Sequence, residues 1–208
     1  MVLVLFLGLG GYLPMGQHAA YAVRTVAATV VLLAVSRSLV TFRASRPCSS
    51  LLVGVAVFVL WIGPDLLWPG YRELFLFRNP LTGAPTSVLP PDLRDSFFWL
   101  FFRVAGSVLL VPIVEELFWR AWLMRRLISA DFLGLPLGAY DPRAFWITAV
   151  LFASEHGPYW DVGLLAGIVY NWWLVRTRNL ADCILAHAVT NGCLAAYVLL
   201  AGAWQYWL

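Results

Sequence analysis

Leu109-Leu110-Val111-Pro112-Ile113-Val114-Glu115-Glu116-Leu117-Phe118-Trp119-Arg120 is an apolar run broken by two adjacent carboxylates and, four residues after the second, a guanidinium. A charged side chain at the centre of a bilayer costs roughly 2.5–3.5 kcal/mol even on the most lenient scale, so ionisable groups there face a cavity and carry function. The rest of the chain establishes the bilayer setting. Of its 208 residues, 62% are hydrophobic and 12% charged, with a mean hydropathy of +0.80, a composition outside that of soluble domains. At about 20 residues per crossing, the chain has room for roughly six to eight spans.

Hydrophobic runs read against Gly, Pro and charged breaks predict spans near residues 2–15, 20–36, 50–68, 95–124, 144–156, 160–175 and 180–204. A backbone exposed to lipid must satisfy its own hydrogen bonds. The expected fold is therefore all-α, a polytopic transmembrane helix bundle of about seven spans, forming a single integral membrane domain over residues 1–208. Met1 to Leu13 lacks a basic leader and is read as a membrane segment, although Ala20-Tyr21-Ala22 imitates a signal-peptidase site. A Pro-punctuated stretch from Pro69 to Pro91 reads as a loop outside the hydrocarbon.

All 14 basic residues are Arg, and the net charge is only +3, so nothing points to nucleic acid as a partner. The three cysteines, Cys48, Cys183 and Cys193, form no C-x-x-C pair, which argues against a disulfide framework or a structural zinc site. The arginines serve orientation. Arg37, Arg43 and Arg46, then Arg125, Arg126 and Arg143, then Arg176 and Arg178 fall in three loops that seven spans place on one side. By the positive-inside rule that side is cytoplasmic. Arg24, Arg72, Arg78 and Arg94 fall on the other.

Depth follows from helix rise. At 1.5 Å per residue, Glu115 lies ~15 Å from Arg125, His156 ~20 Å from Arg143, and His187 and Asn191 ~14 and ~20 Å from Arg178. All approach one layer about midway through a hydrocarbon core of about 30 Å. Gly163-x-x-x-Gly167 and Ala188-x-x-x-Gly192-x-x-x-Ala196 are small-residue patterns that allow close helix approach around it.

Glu116 and Arg120, spaced i, i+4 with the acid first, are expected to form a helical ion pair that aims their neighbours. Glu115, rotated about 100° away, is left as an unpaired carboxylate suited to take a proton from water. His156, beside Gly157-Pro158, reads either as a polar helix end or as part of the polar layer. His187 and Asn191 share a helix face; they read as an interhelical hydrogen-bonding pair, as donors to an oxyanion, or as both. Tyr170 is a candidate supporting donor. Glu155, Asp161 and Asp182 are expected near membrane interfaces in contact with solvent, and the late tryptophans as interfacial anchors.

Glu115-Glu116-x-x-x-Arg120, Phe152-x-x-x-His156 and His187-x-x-x-Asn191, in this order on separate helices, resemble the motifs of the CPBP family of intramembrane proteases, which includes the CAAX prenyl proteases. The resemblance runs from about Ser96 to Leu208, includes Arg176-Thr177-Arg178-Asn179-Leu180, and marks residues 96–208 as the expected catalytic core. More narrowly, the chain is similar to the CAAX-protease-related proteins that accompany bacterial exosortase and PEP-CTERM sorting systems.

The resemblance implies an intramembrane endopeptidase in which Glu115, helped by His156, activates water. His187 and Asn191 would stabilise the oxyanion, and Glu116 and Arg120 occupy the remaining motif positions. It also implies a bacterial cytoplasmic membrane location, membrane lipids as surroundings, a membrane-protein or lipid-associated peptide as substrate, and a protein-sorting system as partner. A bacterial source favours a sorted or signal-like membrane peptide over a prenylated C-a-a-X terminus. H-E-x-x-H is absent, and two carboxylates with two histidines are compatible with a divalent metal such as zinc or with metal-free activation. The rival reading is a non-hydrolytic immunity or assembly partner, or a small transporter, that uses the buried polar cluster for binding.

Overall fold

The computed structural model describes residues 16–36, 43–87 and 89–207. The first expected span, residues 2–15, and Arg37 lie outside these. The described residues form helices α1 (Gln17–Ser36), α2 (Pro47–Leu67), α3 (Phe97–Ile128), α4 (Pro142–Ser154), α5 (Trp160–Thr177) and α6 (Leu180–Ala201). By length and composition α2, α3 and α6 are able to cross a membrane, and α1 carries a shorter apolar stretch, Ala19–Ala34. The apolar side chains left exposed on these helices, such as Leu52, Val59, Leu109 and Leu200, are what a lipid-facing surface requires. The architecture is the expected all-helical bundle.

Local sequence sets the helix ends. Asp141 accepts from the Ala144 amide at 2.9 Å ahead of Pro142, and Asn179 accepts from the Ala181 amide at 2.9 Å, two side-chain caps that satisfy otherwise orphaned donors. Gly202, with φ of 67°, terminates α6 in the left-handed region. At 13 residues, or about 20 Å, α4 falls short of a full crossing by its own length. The segment expected as a span at 144–156 therefore ends in a turn that carries His156.

α3 is not uniformly wound. It widens into π turns at Gly106–Leu110 and again at Leu117–Leu123. Pro112 has no N–H to donate, and its ring crowds the carbonyl one turn back. A wide turn immediately before it absorbs that misfit.

The three arginine-bearing loops meet at one end, as expected. Asn179 donates to the Arg43 carbonyl at 3.0 Å, and Gly138 abuts Leu174 and Arg178 so closely that a Cβ there would clash. Asp182, expected in solvent, is fully buried at this end. It accepts from the Ser45 hydroxyl, from the Arg46 amide at 2.8 Å and from the Ser50 hydroxyl at 3.2 Å, so it ties the 43–46 segment to α6.

At the other end the Pro69–Pro91 loop lies against the bundle. Its Arg72, 7% exposed, pairs with Asp65 and Asp161 and donates to the Pro158 carbonyl at 2.9 Å. Asp161 is thus an ion-pair partner and not a solvated terminus. Glu155 is exposed, as expected. Tyr206 donates to Asp65 at 2.7 Å, and burial together with that bond raises its phenol above the ordinary value.

The small residues divide by role. Gly167 faces Ala149 and Phe152 at close range, and a Cβ on Gly163 would stand 3.0 Å from the His156 ring. Gly192 meets only Val108, at an ordinary 3.7 Å, so the expected close approach at that position is absent. The tightest crossing is at Gly54 on α2, where a Cβ would collide with the Ala186 carbonyl and reach 2.7 Å from Val189. Gly54→Ala is expected to destabilise the fold by about 1–3 kcal/mol through overpacking, lowering the thermal midpoint in detergent. Gly192→Ala should leave that midpoint unchanged or raise it.

Candidate functional site

Arg120 projects from the second wide turn of α3 and Glu116 from the residue just ahead of that turn, and both are fully excluded from solvent. Arg120 Nη1 donates to Glu116 Oε1 at 3.2 Å, and its Nε donates to Asn171 Oδ1 at 3.1 Å. Asn171, on α5, in turn donates to the Phe145 carbonyl on α4 at 2.8 Å. The guanidinium lies 4.3 Å from the ring centre of Phe152 and 5.4 Å from that of Tyr170, so cation–π attraction supplements the ion pair. One charged side chain thereby links α3, α4 and α5.

Glu116 Oε1 also meets His187 Nδ1 on α6 at 2.9 Å. A carboxylate only accepts, so Nδ1 carries the proton and Nε2 is left pointing away. Nε2 stands 4.0 Å from Glu115 Oε2. That separation is too long for a direct hydrogen bond and short enough for one water, at about 2.8 Å from each, to bond both. Glu115 is 27% exposed, yet Oε2 itself is buried without a hydrogen-bond partner. An unsatisfied buried carboxylate oxygen facing an imidazole nitrogen is a site for a bound polar atom.

The imidazole of His187 is clamped as well as aimed. Tyr170 stacks on it with centroids 5.0 Å apart and planes at 24°. The Tyr170 hydroxyl donates to Thr190 Oγ1 at 2.7 Å, and the Thr190 hydroxyl reaches the Gly54 carbonyl at 2.8 Å. The candidate supporting role of Tyr170 therefore takes the form of a stacked platform anchored to α2.

His156 shares the aromatic wall without sharing a bond with these groups. Its Nδ1 meets the Phe152 carbonyl at 2.7 Å, which fixes the proton there and again leaves Nε2 available. The ring packs on Phe152 at 4.7 Å and Trp61 at 5.2 Å, and the same Phe152 ring lies 6.1 Å from His187. Among the described residues no hydrogen bond or ion pair joins His156 to Glu115. Asn191 is also set apart. Its amide nitrogen donates to the Ser107 carbonyl at 2.8 Å, within the first π turn of α3, and so braces α6 against the bend ahead of Pro112.

Of the six residues singled out in the sequence, the structure brings Glu115, Glu116, Arg120 and His187 into one cluster. His156 borders it, and Asn191 sits beyond it. Asn171, Thr190 and Trp61 complete the surroundings, and sequence reasoning missed them. Asn171 is an isolated amide within the apolar stretch 162–175 of α5, a signal that could have found it. A metal centre of the structural or catalytic kind needs at least three protein ligands, and among the described residues no three His, Cys, Asp or Glu are grouped so as to hold one. Glu116 Oε1 is already engaged by both Arg120 and His187. The donor set thus does not fit a metal held by protein ligands alone.

Residues 97–193 match the family model Rce1-like, described as type II CAAX prenyl endopeptidase Rce1-like. All six of these residues fall within the match. No curated protein and no solved structure matches this chain. The family match and the apolar helices together support an integral membrane protein of CAAX-type endopeptidase activity.

The Arg120 network generates a sharp expectation for stability. Arg120→Ala leaves Glu116 as an uncompensated buried charge, a loss of about 3–5 kcal/mol. Folded yield after detergent extraction should collapse, and Asn171→Ala should lower the thermal midpoint in the same direction by less.

Proposed function

We propose, from the match of residues 97–193 to the Rce1-like family model of type II CAAX prenyl endopeptidases, that this chain hydrolyses a peptide bond of a membrane-associated substrate with Glu115 as general base. The observation that carries the reading is the 4.0 Å gap between Glu115 Oε2 and His187 Nε2. Both atoms are acceptors, so a water between them donates one proton to each. Glu115 takes its proton as the water oxygen bonds to the substrate carbonyl carbon. Collapse of the tetrahedral intermediate breaks the C–N bond, and the same proton passes to the departing amine.

Glu116 does for His187 what a buried carboxylate does in a hydrolytic triad: it fixes the tautomer and the ring direction. Arg120 holds Glu116. With Nδ1 donating to Glu116, a neutral His187 offers an acceptor at Nε2, so the oxyanion role is open to it only when protonated. Asn191 keeps a second amide N–H beyond the one given to Ser107, and that donor supports its role at the oxyanion. His156, whose Nδ1 is held by the Phe152 carbonyl so that Nε2 is left free, has in this reading the assisting role in proton transfer.

The donor geometry supports a metal-free glutamate mechanism. The arginine loops, all at one end, support a cytoplasmic placement of that end. The bacterial inner membrane, and a sorting system as partner, remain parts of this proposal carried by the sequence resemblance.

Purified wild type is expected to cleave membrane-peptide substrates in detergent with or without phenanthroline, and Glu115→Gln should lose about a hundredfold or more in rate while binding them normally. Loss of wild-type cleavage in chelator would establish a metal requirement instead. Equal binding by wild type and Glu115→Gln, with cleavage by neither, would favour the non-hydrolytic reading. Gly163→Ala places a methyl against the His156 ring, so the cleavage rate should fall with little change in the unfolding midpoint.

A further inference from the structure

The 69–91 loop between α2 and α3, which its prolines place outside the hydrocarbon, turns large apolar side chains outward. Leu81 is 97% exposed and Phe75 80%, and the neighbouring Leu76 is exposed as well. Phe77 points the other way, 4.6 Å from the Tyr71 ring and 5.9 Å from the Trp160 ring. The outward residues follow directly on the lipid-facing side of α2, whose last residues, Leu66 and Leu67, are exposed together with Trp68. Large apolar groups gathered on a surface in this way mark a partner or a membrane.

Depth favours the membrane. α4 starts at the arginine end, with Arg143 in its first turn, and stops at Ser154 after about 20 Å, which leaves about 10 Å of a hydrocarbon core of about 30 Å unfilled. Gly157, just past that end, has a φ of 52°, and a Cβ on it would stand 2.9 Å from the Thr82 carbonyl oxygen. The loop therefore rests directly on the truncated end of α4. Thr82, Gly83, Ala84 and Thr86 also line, with Trp61, His156 and Tyr206, a cavity of about 460 Å³, so this part of the loop reaches down to the level of His156.

We propose that residues 75–82 dip into the membrane, with Phe75, Leu76 and Leu81 inserted among the acyl chains of the leaflet opposite the arginine end, in the depth that α4 leaves unfilled. Apolar faces of interfacial elements settle about 5–10 Å into the headgroup and acyl boundary, which matches the shortfall of α4. The backbone suits a place poor in water. Every N–H in residues 77–83 is taken: Phe77 and Arg78 donate to the Leu74 carbonyl at 2.9 and 3.1 Å, Asn79 and Gly83 exchange bonds at 3.3 and 2.8 Å, and Asn79 Oδ1 accepts from Leu81 and Thr82 at 2.9 and 3.1 Å. Pro80 has no N–H to place. Such internal satisfaction is what lipid demands of a backbone.

The charges of the loop are also settled. Arg72 pairs with Asp65 and Asp161, and Glu73 pairs with Arg78, whose long side chain is able to reach the headgroups from this depth. Trp160 Nε1 donates to the Leu76 carbonyl at 3.2 Å and fastens the turn to α5 through an indole, a side chain that favours the membrane–water boundary. The insertion requires nothing of the peptidase reading.

Wild type in vesicles of phosphatidylethanolamine and phosphatidylglycerol is irradiated with a phenyldiazirine dissolved in the bilayer and, separately, with a water-soluble diazirine, and adducts are located residue by residue by mass spectrometry. Phe75, Leu76 and Leu81 are expected to carry several-fold more adduct from the bilayer-borne reagent than from the aqueous one, as should the lipid-facing Leu52 and Leu109. The ratio should reverse at Ala130, exposed in a loop at the arginine end. Predominant labelling from water at the three loop residues would make the turn a solvated loop and overturn the insertion. Protection from both reagents would place protein over the patch and overturn it equally. The unaltered chain is measured, so no variant has to fold, and the result is read whether or not the protein cleaves a peptide.

Discussion

Glu116 and Arg120 are each completely withdrawn from solvent, and the site depends on their mutual neutralisation. An isolated carboxylate at this depth would be far too unfavourable to persist in its ionised form. The guanidinium lets it remain an acceptor, and an acceptor is what holds the Nδ1 proton of His187 and directs Nε2 toward Glu115. Three helices converge because Arg120 satisfies Glu116 on its own helix and Asn171 on α5, while Asn171 in turn reaches α4. Such a network is favourable as a unit, and removal of one member leaves the others buried without partners.

The irregular winding of α3 serves the same arrangement. Two adjacent glutamates on a helix diverge by about 100°, yet here both approach one imidazole, Glu116 at Nδ1 and Glu115 at Nε2. The π turns to either side of the Val111–Glu116 segment adjust the rotation with which these carboxylates meet α6. Asn191 bonds the carbonyl of Ser107 inside the first of those turns, so the distortion is braced by the helix that carries His187. Wide turns of this kind recur at functional sites because they aim side chains that a regular helix cannot.

The helix boundaries and the pairing of Glu116 with Arg120 were legible in the sequence, because hydropathy breaks and i, i+4 spacing report local geometry. Depth arithmetic brought His187 to the level of the glutamates for the same reason: rise per residue is nearly constant. Azimuth was less legible. The i, i+4 spacing put Asn191 on the His187 face without reporting what that face meets at each level, and nothing in the sequence reported the direction of His156; both are engaged by backbone carbonyls. The burial of Asp182 was misread because a position at a helix start looks solvated until the 43–46 segment folds over it. Gly54 was overlooked as a crossing point, and Gly192 overvalued, since a small residue shows where an approach is permitted and not where one occurs.

Hydrolysis inside a membrane requires water where hydrocarbon would exclude it, and the two ends of this bundle answer that requirement differently. At the arginine end, Asp182 and its donors seal the loops onto α6. At the other end, Arg72 holds a loop of turns over the helix ends, and the cavity beside His156 lies under that loop. Irregular backbone at such depth is tolerated only where protein buries it or water reaches it. A substrate helix has its own carbonyls and amides paired and resists attack until it unwinds. A polar, loop-lined cavity beside His156 would offer unwound backbone the replacement partners it needs under the proposed reaction.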